Sequence, residues 1–304
     1  MAGESGDPGQ WPGGWSGAQR SEQDRARTRR LLLAGGAIVV VIAVVLAVVL
    51  SGGGGSSAPT AGSTAPAPTG SAHTTVVGQL TSVPAATLDQ VGAGTTSANP
   101  TPISGAALTS GGKPEVLYIG AEYCPFCAAQ RWAVIVALSR FGSFSGLEPI
   151  RSAAADGAGN SEPYPLTPTW TFAHARYASS YLTFAPVETT TNVPDKKTGY
   201  YTTLQTPTAA QQALFNKYDA ADQGAIPFID YGNKFLSVGA SYDPAILSGL
   251  TWAQIADDLH DPTSTVAKSV LCTANFATAA ICSLTGDQPA SACTSTVRAL
   301  QAKI

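Results

Sequence analysis

The run Glu115-Val-Leu-Tyr-Ile-Gly-Ala-Glu-Tyr-Cys-Pro-Phe-Cys-Ala-Ala-Gln-Arg-Trp132 constrains this chain more than any other. Val116 to Ile119 is a short apolar run behind Gly111, Gly112 and Pro114, which reads as a buried strand. After Gly120 comes Cys124-Pro125-Phe126-Cys127, and Ala128 to Phe141 reads as a helix that Gly142 ends. A strand that delivers a C-x-x-C to the first turn of a helix suits thiol–disulfide exchange. Cys124 takes the N-cap, where unpaired backbone N–H groups and the positive end of the helix dipole stabilise a thiolate. Pro125 fits the first helical position because it has no N–H to leave unpaired. Cys127 lies one turn on, in reach of a mixed disulfide held on Cys124. In the helix, Val134, Ile135, Leu138 and Phe141 form one apolar face, and Trp132, Val136 and Ala137 lie on others, so it reads as a central helix.

What surrounds that run sets its compartment. Leu31 to Leu50 is uninterrupted by any polar side chain and spans ~30 Å as a helix, the thickness of a bilayer core. Arg20, Arg25, Arg27, Arg29 and Arg30 precede it, and no Lys or Arg follows until Lys113. The positive-inside rule puts the N-terminus in the cytoplasm and everything after residue 50 outside. An uncleaved anchor is expected over a cleaved signal peptide, whose apolar core and basic head are normally shorter. Residues 1–30 read as a disordered cytoplasmic tail, and 51–75, rich in Gly, Ala, Pro, Ser and Thr, as a flexible linker. Residues 76–304 form the extracytoplasmic domain. With 12% charged residues, a formal net charge of −3 and no basic block beyond residue 30, the chain lacks the cationic surface that a nucleic-acid partner requires.

Along the domain, Val83 to Val91 reads as a short helix after Pro84, and Asn99 to Pro102 as a turn. Leu147–Ile150, Thr169–Phe172 and Tyr181–Glu188 read as strands, Pro194–Gly199 as a turn, Tyr200–Leu204 as extended, and Pro207 opens a helix through Tyr218. Ala225 to Leu236 is a β-hairpin turning at Gly232-Asn233. Three helices close the chain: Thr251–His260, Ser264–Cys282 and Ala290–Lys303.

A C-x-x-C also suits half a zinc site, but zinc needs two more Cys or His at compatible spacing, and His73, His174 and His260 are scattered. No metal and no cofactor is expected. Glu122 has two readings, a proton shuttle for the cysteine pair or a solvated turn residue, and the second is expected since no spacing rule brings it to Cys127. Arg131 likewise could lower a thiol pKa, but an exposed helix arginine is expected. Phe126 is expected on the surface beside the pair, where substrate docks. Cys272 and Cys282 lie about 15 Å apart along one predicted helix, beyond the ~7 Å Cα span of a disulfide. Cys282 and Cys293, separated by a turn, are therefore expected to pair as a structural bridge, with Cys272 a buried thiol.

A strand, a C-x-x-C helix and a later Ile226-Pro227 before an apolar hairpin resemble the thioredoxin-like fold. That fold implies a cis-proline at Pro227 facing the cysteines, with the backbone at Ile226 holding substrate. Tyr118 to Gly142, Thr167–Phe172, Tyr181–Glu188 and Thr278–Cys293 resemble an uncharacterised family of membrane-anchored, thioredoxin-like proteins of actinobacteria and archaea, a domain-of-unknown-function family numbered 929. The resemblance implies an α/β thioredoxin-like fold, with a large insertion between the C-x-x-C helix and the cis-proline hairpin, preceded by one transmembrane helix. It implies no activity. Tyr123 stands where thioredoxin has Trp. The expectation is a membrane-anchored extracytoplasmic thiol–disulfide oxidoreductase acting on protein thiols or disulfides, with a membrane electron donor or acceptor as redox partner. The alternative is a non-catalytic binding module in which a Cys124–Cys127 bridge only staples the helix start.

Overall fold

The computed structural model describes residues 65–219 and 224–304. The expected tail, the membrane helix at 31–50 and most of the linker lie outside the described residues. The described chain begins with α1 (Gly70–Thr81) and α2 (Ala85–Val91), then β1 (Thr101–Pro102), β2 (Thr109–Ser110) and β3 (Lys113–Gly120), which leads into α3 (Pro125–Ser139). Then come β4 (Gly142–Ser145), β5 (Glu148–Arg151), β6 (Pro168–Thr171), β7 (Arg176–Ser179), β8 (Thr183–Glu188), β9 (Thr190–Asp195), β10 (Tyr200–Thr203) and α4 (Ala209–Tyr218). The hairpin β11 (Phe228–Tyr231) and β12 (Phe235–Val238) precedes α5 (Trp252–Asp258), α6 (Thr265–Thr285) and α7 (Ser295–Gln301).

The fold is mixed α/β around a mixed sheet. β3 is its centre: it pairs antiparallel with β11, Ile119 opposite Phe228, and parallel with β8, Val116 opposite Phe184. β12 and then β1 extend the sheet beyond β11, and β2 pairs with the start of β3. A strand flanked on both edges and covered on both faces must be apolar at consecutive positions. Val116 and Tyr118 join the large core on one face, while Leu117 and Ile119 pack on the other with Phe228, Leu214 and Phe215. α3 and α6 fill the large core. α6 is long and apolar enough to cross a membrane by length and composition, but it is mostly buried inside the fold. Ser264 caps its start by accepting from the Ala267 N–H at 2.9 Å, and Gly286 ends it in the left-handed region at φ 62°.

Several local expectations give way to tertiary contacts. α1 overrides the end of the expected linker, because Val76 and Leu80 are buried and the His73 ring meets the Leu147 carbonyl at 2.8 Å. Asn99–Pro102 is not merely a turn, since Thr101 and Pro102 form an edge strand on β12. Gly142 does not cap α3. It opens β4, and a side chain there would meet the Ala178 carbonyl of β7 at 2.3 Å, so the two strands approach only because it is glycine. The last helix starts at Ser295 rather than Ala290. Its cap is Thr294, which accepts from the Val297 N–H at 3.3 Å and donates to Asp89 at 2.7 Å.

The hairpin turn is where expected, with Gly232 and Asn233 both left-handed at φ 64° and 59° and the Lys234 N–H closing on Tyr231 O at 3.1 Å. Beside it Asp230 is fully buried, with one carboxylate oxygen accepting the Asn233 N–H at 2.5 Å and the other without a hydrogen-bond partner among the described residues. Burial, and to a lesser extent the charge of Glu115, push its carboxyl up to about 6, against the pull of the Asn233 N–H.

Cys282 and Cys293 are bonded, with Cα atoms 5.8 Å apart and eleven residues of separation. Replacing both by Ala removes a loop constraint of about 3 kcal/mol in the chain-entropy model. Thermal unfolding of the double variant should show a clearly lower midpoint, and an unchanged one refutes the structural role. Asp230 supplies a second test. Its folded pKa lies above the ordinary value, so the folded state holds the proton more tightly, and this group's contribution to stability falls as pH rises from about 4 to about 6. Asp230→Asn should flatten that part of the stability–pH curve, measured by urea unfolding across the range.

Candidate functional site

The site grows from the end of β3. Cys124 is the N-cap of α3 with extended backbone (φ −72°, ψ 121°), and its sulfur accepts the Cys127 N–H at 3.2 Å while its carbonyl accepts Ala128 N–H at 2.9 Å. Pro125 occupies the first turn. The preceding loop is pinned by backbone bonds on both sides. Glu122 N–H donates to Thr190 O of β9, and Tyr123 O accepts from Ala153 N–H, each at 2.9 Å. Across the site the Ile226–Pro227 bond is cis, and the Cys124 thiol points at Ile226 O at 3.9 Å, the outer limit of a sulfur hydrogen bond. The structure therefore brings Cys124, Cys127, Ile226 and Pro227 together. Phe126 is 37% exposed, its ring edge-on to Tyr164.

Two expectations about charged residues are overturned. Glu122 is not a solvated turn residue. It is buried, with a carboxylate oxygen accepting from the Thr171 hydroxyl at 2.6 Å, because β6 packs against the loop that carries it. Arg131 is not an exposed helix arginine either. It is 0% exposed, and Glu188 at the end of β8 takes its Nε and Nη2 on two oxygens at 2.9 and 2.7 Å. Nη2 also donates to Ala121 O at 2.7 Å. α3 is apolar on every side, so a cation on it has no exposed face to occupy and must bring its own carboxylate. That signal was in the sequence, but Glu188 lies too far along the chain to be matched to it.

The two thiols are electrostatically unlike. Burial works to raise Cys124, but hydrogen bonds from the Cys127 thiol and N–H, the Arg131 charge and the Phe126 N–H outweigh it, and its pKa falls below the ordinary 9.0. For Cys127, burial, its role as donor to Cys124 and the Cys124 charge all act upward. Arg131 and the Ala121 N–H oppose them without prevailing, so Cys127 stands well above the ordinary value. Cys124 is thus the more readily ionised of the two. Burial also raises Glu188, opposed by Arg131, whose own charge Glu188 holds in place.

A tyrosine cluster packs against the two cysteines, and nothing in the spacing announced it. Tyr123 stacks on Tyr201 of β10 with centroids 4.2 Å apart, and its hydroxyl meets that of Tyr200 at 2.5 Å. Tyr201 in turn donates to Glu162 at 2.7 Å. With Ala121, Ala153 and Tyr201 packed around them, Cys124 is 4% exposed and Cys127 0%. Cys282, Asp287 and Cys293 also converge, but both of those sulfurs are already committed to their disulfide, which leaves no thiolate for a metal.

A family model described as a domain of unknown function (DUF929) matches residues 99–283, which takes in the sheet, α3 and most of α6. No curated protein and no solved structure matches the chain.

Alkylation of the native protein with iodoacetamide should label Cys124 with a pH midpoint below 9, since only the thiolate reacts and its pKa is lowered. Cys127 and Cys272, the latter pushed up by burial to about 12, should stay unlabelled until the protein is unfolded, as read by peptide mass mapping.

Proposed function

The chain belongs to this family of unknown function, and on that premise we propose that it is a thiol–disulfide oxidoreductase of thioredoxin-like fold, held on the outer face of a membrane by the apolar run 31–50. The observation that carries the reading is a thiol of lowered pKa at a helix tip, opposite a cis-proline peptide, with a second thiol one turn behind it. Connectivity supports the fold. The strand order β12-β11-β3-β8 has α3 leaving β3, β8 parallel to it and the proline-led hairpin antiparallel to it. In this reading the chain between α3 and that hairpin, apart from β8, is the insertion.

Cys124 thiolate attacks one sulfur of a substrate disulfide, the substrate S–S bond breaks, and the departing thiolate takes up a proton. Cys127 then attacks Cys124 Sγ and displaces the second substrate thiol, leaving a Cys124–Cys127 disulfide and a reduced substrate. The reverse sequence oxidises a dithiol. Phe126, exposed beside the nucleophile, and the Ile226 backbone border the approach, and an extended substrate backbone pairs most readily with main chain of this kind. Protein thiols or disulfides are the substrates, and a membrane electron donor or acceptor resets the pair.

The near-complete burial of both sulfurs favours a second reading, a binding module whose Cys124–Cys127 bridge only staples the start of α3. Cys127→Ser separates the two. An exchange enzyme so altered should accumulate disulfide-linked adducts on Cys124, seen on non-reducing gels and abolished by Cys124→Ser. A chain that traps no adduct is the binding module.

A further inference from the structure

Arg131 occupies an unusual position for a buried cation. Its Nε and Nη2 are spent on Glu188 and on the Ala121 carbonyl, while Nη1 is buried with no hydrogen-bond partner among the described residues. The Ala121 peptide it grips reaches both cysteines. Its carbonyl also accepts the Cys124 N–H at 3.3 Å, and its N–H points at the Cys127 sulfur. The groups bearing on Cys127 are few. They are Arg131, four residues on and so on the same face of α3, Cys124 at the cap and the Tyr118 phenol from β3, while Glu188 from β8 acts on Arg131 and Glu122 in the loop acts on Glu188. Tyr118 stays neutral because burial raises it well above the ordinary phenol value, so Arg131 is the one cation in the set.

While Cys124 is an anion it holds the Cys127 proton as a hydrogen bond and opposes a second charge beside it. Once Cys124 is tied in a mixed disulfide, both restraints vanish. What remains on the favourable side is Arg131 and the Ala121 N–H, against burial. We propose that the buried Arg131–Glu188 pair is a positioning device for the second half of the exchange, Arg131 being the counter-charge to the Cys127 thiolate and Glu188 the clamp that keeps it there. In that step the Cys127 sulfur bonds to Cys124 Sγ, the bond from Cys124 to the substrate sulfur breaks, and the released thiolate takes the proton that Cys127 gave up. This rests on the exchange reading above and deepens it.

The test uses the full chain carrying Cys272→Ala. Methyl methanethiosulfonate caps Cys124 as a methyl disulfide, and quenched-flow mass spectrometry follows its resolution by Cys127 across pH. Arg131→Met with Glu188→Gln removes the charge without stranding a carboxylate. It should raise the midpoint of the resolution profile by about one unit and slow resolution about tenfold near neutral pH, a factor of ten corresponding to one unit. Arg131→Lys keeps the charge but loses the two-pronged grip on Glu188, and should stay nearer the wild-type midpoint. An unshifted midpoint in the folded double variant overturns the proposal, as does a lysine variant as slow as the methionine one. Wild type that caps but never resolves overturns the exchange reading itself, a failure the same traces report separately.

Discussion

Arg131 and Glu188 meet with both side chains at 0% exposure, across the seam where α3 lies over the end of β8. Desolvating two such charges costs several kcal/mol each, and close geometry with further hydrogen bonds has to offset it. Here the offset is visible: a two-pronged contact, a third bond from Arg131 to Ala121 O, and the Phe172 N–H on Glu188 at 3.3 Å. Those bonds tie together the helix, the parallel strand, the loop before the cysteines and the strand end at Phe172. Removing either partner alone would strand a charge in the core, which is why the pair fixes α3 relative to the sheet more rigidly than apolar contact does.

The asymmetry of the thiols follows from where that charge sits and from helix geometry. Cys124 at the cap sees free N–H groups from the first turn, whereas Cys127 is inside the helix and sees the Cys124 sulfur. A capping sulfur and an interior sulfur three residues apart cannot be equivalent. The tyrosines of β10, Ala153 and Ile226 then pack around the two cysteines, so the site is enclosed by parts of the chain that carry no cysteine.

Much of the fold could be read from local pattern. Val116–Ile119 is apolar at every position and became the doubly covered central strand, the helices expected after Pro207 and from Thr251 form, and Gly232-Asn233 turns the hairpin. Boundaries failed where a distant group decided them. Val76 and Leu80 gained a core to sit in, Gly142 faced the Ala178 carbonyl, and Thr294 found Asp89. Glu122 and Arg131 failed for the same reason, since whether a charged side chain is solvated depends on what folds over it.

By itself the sequence determined the strand, the cap, the cysteine order and the apolar character of α3. Each of these is set by residues within a turn or two of one another, where propensity, capping and periodicity act. Tertiary structure alone decided that Glu188 arrives beneath Arg131, that Tyr201 stacks on Tyr123, and that Ile226 meets Cys124. Those partners are joined by burial and charge pairing across long stretches of chain, and such pairing leaves no periodic trace in the order of residues.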